Sequence, residues 1–229
     1  MALLSRLGQV LKTDLSRDSR QKNRSNEEAD KDLLHYMKQR RTIKSLGKKV
    51  LYSSDSLSDL IKEAVHCCPS ALNSQSVRVI ILTDKAHFKF WDMVKSVQAK
   101  NLPEHIVESA HMKIDQCMKA YGTVLFFEDL EVVRQLQKLK PLQAAEFTVW
   151  SEQTSGMAQF AVWTALSSAG LGAALHHYNP AIDLETTAMF DLPASWHMKA
   201  QLVFGSIQKS AAEKFVEDDE TLFRVYHDI

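Results

Sequence analysis

The chain has 229 residues, enough for one large domain or two small ones, and its 45% hydrophobic and 24% charged residues give it the material of a real core. Its 28 lysines and arginines cancel 28 aspartates and glutamates, which excludes a nucleic-acid binder working through bulk positive charge. Any anionic ligand must therefore meet a local basic cluster. Three cysteines, Cys67, Cys68 and Cys117, make no disulfide framework and fit no common zinc spacing. A reducing compartment follows, with Cys67 and Cys68 expected as packed thiols at a helix end. No apolar run approaches the length of a membrane span. Met1-Ala2-Leu3-Leu4 is interrupted at once by Ser5 and Arg6, unlike a signal peptide. The expected location is cytoplasmic, with no membrane and no nucleic-acid partner.

Residues 1–30 read as an N-terminal extension ahead of a domain over 31–229. Leu3, Leu4, Leu7, Val10 and Leu11 recur at helical spacing before a polar linker. Ser25-x-x-Glu28 has the form of a capping box and opens a helix with Ala29, Leu33, Leu34 and Met37 on one face. That helix runs into Gln39-Arg40-Arg41-Thr42-Ile43-Lys44. Three cations and a hydroxyl within five residues suit a phosphate: arginine gives a planar fork of donors, lysine a point charge, threonine a short hydroxyl bond. The same run also suits a solvated helix end that complements the macrodipole.

Ser56-x-x-Asp59 predicts the start of the next helix, apolar at Leu57, Leu60, Ile61, Ala64 and Val65. It ends at Cys67-Cys68-Pro69, since Pro disfavours helix in the residue before it. The polar loop Pro69-Ser70-Ala71-Leu72-Asn73-Ser74-Gln75 then leads into a β-branched strand over 77–82. Such a loop is a common place for a ligand, and Asn73 and Gln75 offer paired amide donors and acceptors to a flat heterocycle. It also reads as a plain helix-stop turn. A helix follows through Phe88, Phe90, Trp91, Met93 and Val94, its aromatics expected in the core. Another spans about 104–120. Thr123-Val124-Leu125-Phe126-Phe127 is a second buried strand, followed by a helix at about 130–139.

Residues 146–169 form the longest helical pattern and leave little polar face, so this helix is buried in a core or in a subunit interface. Gly170 closes it. Ala173-Ala174-Leu175-His176-His177-Tyr178 follows as an extended run, with a turn at Asn179-Pro180 and a short helix near 183–189. Residues 200–205 make a further strand closed by Gly205, and residues 223–226 suggest one more. The acidic run at 217–220 reads as a solvated turn. His176 and His177 do not read as a metal pair, because neighbours on a strand point to opposite sides. Strands separated by helices give an α+β or α/β domain with one sheet covered on both sides. Seven glycines leave no Gly-rich phosphate loop, and neither the dinucleotide fingerprint nor the P-loop pattern is present.

Three stretches in order carry a family resemblance: Arg40-Arg41-Thr42-x-Lys44, then Pro69-Ser70-Ala71-x-Asn73-x-Gln75 before a strand, then Gly170-Leu171-Gly172-Ala173 after the long helix. Together they resemble the FMN-dependent nitroreductase family. Ser74-Gln75-Ser76-x-Arg78, Leu175-x-His177-Tyr178-Asn179 and Phe204-Gly205 resemble its subgroup of fungal and bacterial stress-response nitroreductase-like proteins. The resemblance implies a nitroreductase-like α+β fold: a central, mostly antiparallel sheet covered by helices on both sides, in an intertwined homodimer. It implies FMN as cofactor, with Arg40, Arg41, Thr42 and Lys44 at its phosphate and ribityl chain. Asn73 lies at the ring's polar edge with Ser70 and Gln75 beside it, and Leu175 and His176 lie against the ring. A basic residue after the last core strand completes the phosphate site, Lys214 in preference to Lys209. The implied reaction passes hydride from NAD(P)H through flavin N5 to a nitroaromatic, a quinone or a similar small electrophile. No protein residue is firmly catalytic; His176 is a candidate proton donor. The alternative is a flavin-binding stress sensor or regulatory protein with little turnover. Many members follow the Gln with Pro and an aromatic. Here Ser76-Val77 stands instead, so substrate preferences do not transfer from them.

Overall fold

The computed structural model describes residues 33–227, which leaves the amphipathic start and the Ser25-x-x-Glu28 box outside the described residues. The chain begins with helix α1 (Leu33–Gln39), strand β1 (Leu46–Gly47) and helix α2 (Ser54–His66). A short turn of 3-10 helix at Ala71–Asn73 leads into β2 (Val77–Thr83), which is followed by α3 (Asp84–Asn101) and α4 (Glu104–Met118). Then come β3 (Gly122–Asp129), α5 (Leu130–Leu139) and the long α6 (Ala144–Ser168). The order closes with β4 (Gly172–His176), α7 (Asp183–Phe190), β5 (Trp196–Ile207) and the one-turn α8 (Asp219–Leu222).

All named strands pair antiparallel in the order β1-β5-β3-β2, and β4 also pairs with β5. Period-2 alternation on β3 divides the molecule into two cores. Leu125 and Phe127 face Phe90, Trp91 and Val94 of α3 and Ile114 and Cys117 of α4. Val124 and Phe126 face Leu57 and Ile61 of α2 and Ala158, Val162 and Leu166 of α6. The Val, Leu, Ile and Phe side chains among these each stabilise the fold by roughly 1.5–3 kcal/mol. The sheet is thus antiparallel and covered on both sides, as the resemblance implies.

Several local expectations shift. Helix α2 begins a turn earlier than Ser56, because the Ser53 hydroxyl caps it and accepts the Ser56 N–H at 3.1 Å. Strand β5 runs past Gly205 to Ile207, since a Cβ at Gly205 would collide with the Gly47 carbonyl and bar β1 from its place. Residues 223–226 form no strand; they are exposed beyond α8. Phe90 and Trp91 are fully buried, whereas Phe88 is exposed. Cys67 is exposed, and only Cys68 is partly packed, its thiol donating to the Ala64 carbonyl. Helix α6 buries Phe147, Ala158, Val162 and Leu166, but Val149, Met157 and Phe160 remain exposed on this chain. Gly170 ends α6 as expected: at φ 75° its N–H reaches the Ser167 carbonyl, and the Leu171 N–H reaches that of Leu166.

Under the α3–α4 layer lies a closed polar network. The Cys117 carbonyl can only accept, so His87 Nε2–H donates to it at 3.1 Å. The other ring nitrogen, Nδ1, therefore accepts the Thr123 hydroxyl at 2.9 Å, and Thr123 Oγ1 in turn accepts Trp91 Nε1–H at 2.8 Å. Only a neutral imidazole satisfies this chain, and burial lowers the His87 pKa to about 4. Below pH 6.5 the unfolded chain takes up a proton that the folded chain refuses until about pH 4. Stability is therefore complete above pH 6.5 and lost as the pH falls toward 4, by about 1.4 kcal/mol per pH unit for this group. Chemical denaturation between pH 6.5 and 4.5 is expected to show a slope that includes this contribution, and His87→Gln should lower it by about one proton.

Candidate functional site

The cationic run is tied to the sheet by backbone. The Ile43 N–H donates to the Ala173 carbonyl at 2.9 Å, and Thr42 bridges Ala173 in parallel. Ile43 is buried beneath, which leaves Thr42 and Lys44 on the open side. The Arg40 guanidinium lies over the Trp163 ring of α6 at 4.5 Å and near Phe160 at 5.7 Å. Burial first, and then the Arg41 charge, lower its pKa below the ordinary arginine value. Arg41 Nη2 donates to the Ala212 carbonyl at 2.7 Å, drawing the segment after β5 across the run. Together they enclose a cavity of about 500 Å³ lined by Arg40, Arg41, Thr42, Lys44, Lys209, Ser210, Glu213 and Lys214. Both lysines considered for the phosphate thus reach the same cavity.

Thr42 and Lys44 also line a second cavity, about 450 Å³, with Leu175, His176, Tyr178, Lys113, Gln116 and Cys117. The His176 ring meets the edge of Trp91 at 5.8 Å and lies nearly parallel to Tyr178 at 6.0 Å. Burial, then the charges of His177 and Lys44, lower the His176 pKa to about 4. Burial pushes the Cys117 thiol up to about 12 and Tyr178 also to about 12. Cys117 Sγ lies 3.6 Å from His176 Nε2. At neutral pH both groups are uncharged, and either the thiol S–H or the imidazole N–H can be the donor in this contact. This is no thiolate–imidazolium pair; it is an uncharged aromatic wall. Gln201, fully buried, fixes the turn behind it: Oε1 accepts the Tyr178 N–H at 2.9 Å, and Nε2 donates to Asn179 Oδ1 at 3.1 Å.

Ser70, Asn73 and Gln75 lie elsewhere. They line a third cavity, about 230 Å³, with Cys68, Arg78, Thr154 and Ala158, and line neither of the other two. Their loop holds Leu72, Asn73 and Gln75 at φ 53°, 54° and 49°. Ser70 Oγ accepts the Gln75 N–H at 3.0 Å, and Arg78 Nη1 donates to the Gln75 carbonyl at 2.7 Å. Below the loop Glu128 is fully buried. Ser76 and Ser151 donate to its Oε2, and desolvation raises its pKa against those two bonds.

Sequence reasoning therefore located the cations and the wall at Leu175 and His176 but missed Lys113, Gln116, Cys117, Gln201 and Glu128. Lys113 and Gln116 stand three apart on α4, a spacing that marks one helix face, yet nothing local separates that face from any solvated one.

An antiparallel α+β fold that joins a cationic cleft to a cavity walled by the neutral rings of His176 and Tyr178 is an oxidoreductase scaffold of the nitroreductase type. The Nitroreductase family matches residues 37–206. The chain is 35% identical over 203 residues to nitroreductase FRM2 of Saccharomyces cerevisiae, covering 85% of this chain and 96% of that protein. It is 43% identical to nitroreductase CinD from Lactococcus lactis, whose structure in complex with chloramphenicol superposes with a TM-score of 0.79 over 86% of this chain and 100% of that one. CinD has also been solved with 4-nitrophenol at the same TM-score of 0.79, identity and coverage. A protein of Desulfovibrio desulfuricans solved with FMN shares the fold at 22% identity and a TM-score of 0.61, covering 86% of this chain and 98% of its own. The chain belongs to the nitroreductase family.

The Arg41–Ala212 bond makes the segment after β5 depend on the cationic run. Arg41→Ala is expected to speed tryptic cleavage after Lys209 and Lys214 by up to about tenfold, the worth of one charge-assisted bond. An unchanged digestion rate would show that the segment is held by other contacts.

Proposed function

We propose that this protein is an FMN-dependent oxidoreductase that moves hydride from NAD(P)H to nitroaromatics, quinones or similar flat electrophiles. The observation that carries the reading is the junction of the two cavities at Thr42 and Lys44. A flavin phosphate carries about two negative charges. Five cations against one carboxylate line the first cavity, and Arg40 Nε is buried without a hydrogen-bond partner among the described residues. The second cavity offers the apolar, unionised faces that a flat ring needs. In this reading Arg40, Arg41, Lys209 and Lys214 hold the phosphate, Thr42 and Lys44 meet the ribityl chain and ring edge, and Leu175 and His176 lie against the ring. Lys113 and Gln116 add donors at the rim. When bound, FMN supplies the hydride relay. The fixed charge of Lys44 favours a reduced, more negative ring. His176, held neutral by burial, can offer an acceptor a ring N–H as a hydrogen-bond donor.

The distance of Ser70, Asn73 and Gln75 from the cations within one chain fits a homodimer with the cofactor at the interface, each site completed by the loop of the second copy. The exposed Val149, Met157 and Phe160 of α6, and Leu72 at the loop, supply the apolar surface such a contact buries. Sedimentation is expected to give twice 26.0 kDa. No described helix is long and apolar enough to cross a membrane.

The direct test is the visible spectrum of the purified protein before and after anaerobic NADH, followed by a nitroaromatic. Flavin bands that bleach and return establish the reaction. Bands that persist move the protein to a flavin-binding sensor, and absent bands in FMN-supplemented protein defeat the reading. Arg40→Ala should weaken FMN binding by roughly 1.5–3 kcal/mol, while Arg40→Lys, which keeps the charge, should lose less.

A further inference from the structure

Glu128 is fully buried at the end of β3 and accepts two hydroxyls on one oxygen: Ser76 Oγ at 2.6 Å and Ser151 Oγ at 2.7 Å. Its Oε1 has no hydrogen-bond partner among the described residues. The two serines belong to different structures. Ser76 follows Gln75 directly, where the ligand loop turns into β2, and its carbonyl accepts the Asp129 N–H at 2.9 Å. Ser151 lies on α6. Between Ser70 and Ser76 the loop has little to hold it by packing, since Leu72 is 62% exposed and Asn73 and Gln75 are exposed. Three of its residues are left-handed without being glycine. Such a backbone persists only where its surroundings determine it.

We infer that Glu128 is a positioning residue: through Ser76 it sets where Asn73 and Gln75 present their amides. The geometry stands on its own; the identity of the ligand rests on the flavin reading above. A bland role, in which a buried carboxylate only stabilises the sheet end, makes a different prediction. Ser76→Ala and Ser151→Ala each remove one hydroxyl bond to the same oxygen, yet only the first touches the loop.

Two readouts separate the roles in the full-length protein: amide hydrogen exchange at residues 73–75 without FMN, and the FMN dissociation constant. Ser76→Ala is expected to speed exchange at those amides and raise the constant about tenfold, one lost hydrogen bond's worth. Ser151→Ala, whose bond lies outside the loop, should change both by less than Ser76→Ala does. Glu128→Gln keeps a carbonyl where both hydroxyls donate but buries an NH2 where Oε1 had no partner, so it should loosen the loop less than Glu128→Ala, which should follow Ser76→Ala. Equal effects of the two serine variants, or none from Ser76→Ala, overturn the inference. If the wild type takes up no FMN, the flavin reading fails, and the exchange measurement alone still decides the positioning role.

Discussion

The hydrogen bond from the Ile43 amide to the Ala173 carbonyl is the contact on which the rest of the site depends. Arg40, Arg41 and Lys44 repel one another, and on a free strand they would splay into water. Pairing with β4 removes that freedom. It sends Ile43 into the core and leaves Thr42 and Lys44 on the open side, where both cavities meet. Strand β4 is fixed by β5, and β5 by β3, whose side chains fill both cores. The cations inherit the rigidity of the sheet rather than that of a loop. Because the whole chain carries no net charge, the positive potential stays local to this corner.

Next to this charge the protein keeps its titratable groups neutral. His176, Cys117 and Tyr178 are all shifted by burial toward their uncharged forms, and His87 behind them is held the same way. The outcome is a division of labour across a few residues: ionised donors at one end, unionised aromatic faces at the other. A ligand with an anionic tail and a flat head matches that division. A purely anionic or purely apolar ligand would leave one half of it unmet.

How much of this was legible in the sequence depended on how local the determining interaction is. The β-branched runs at 77–82 and 123–127 announced their strands, and Gly170 its helix end, since each is decided within a few residues. The start of α2 was not legible, because Ser53, Ser54, Asp55 and Ser56 are all competent caps and only packing chooses among them. Gly205 looked like a strand end because the partner that needs its missing Cβ, Gly47, is remote in sequence. The join of Thr42 to Ala173 is long-range too. Periodicity carries no trace of it; the ordered motifs did. Motif order, however, contains no distances, so it could not reveal that Asn73 and Gln75 stand apart from the cations they were grouped with.

That separated loop is also where the backbone is least relaxed. Among the described residues, the other non-glycine residues at positive φ, Asp84 and Asp191, sit at a helix start and a helix end, and aspartate tolerates that region. Leu72 has no such excuse, and with Asn73 and Gln75 it gathers three such residues into four positions. At about 1–2 kcal/mol each for a left-handed residue, with asparagine at the low end, the cost reaches a large share of an ordinary domain's net stability. Nothing in the loop's own packing offsets it. The offset comes from hydrogen bonds, from the Ser70 hydroxyl within the loop and, outside it, from the Arg78 clamp on the Gln75 carbonyl and the buried Glu128 that holds Ser76. A helix-stop turn alone would not require this arrangement, since a relaxed turn joins α2 to β2 equally well. The strained conformation earns its place only if the direction of the two amides matters, and a ligand is what gives that direction a consequence.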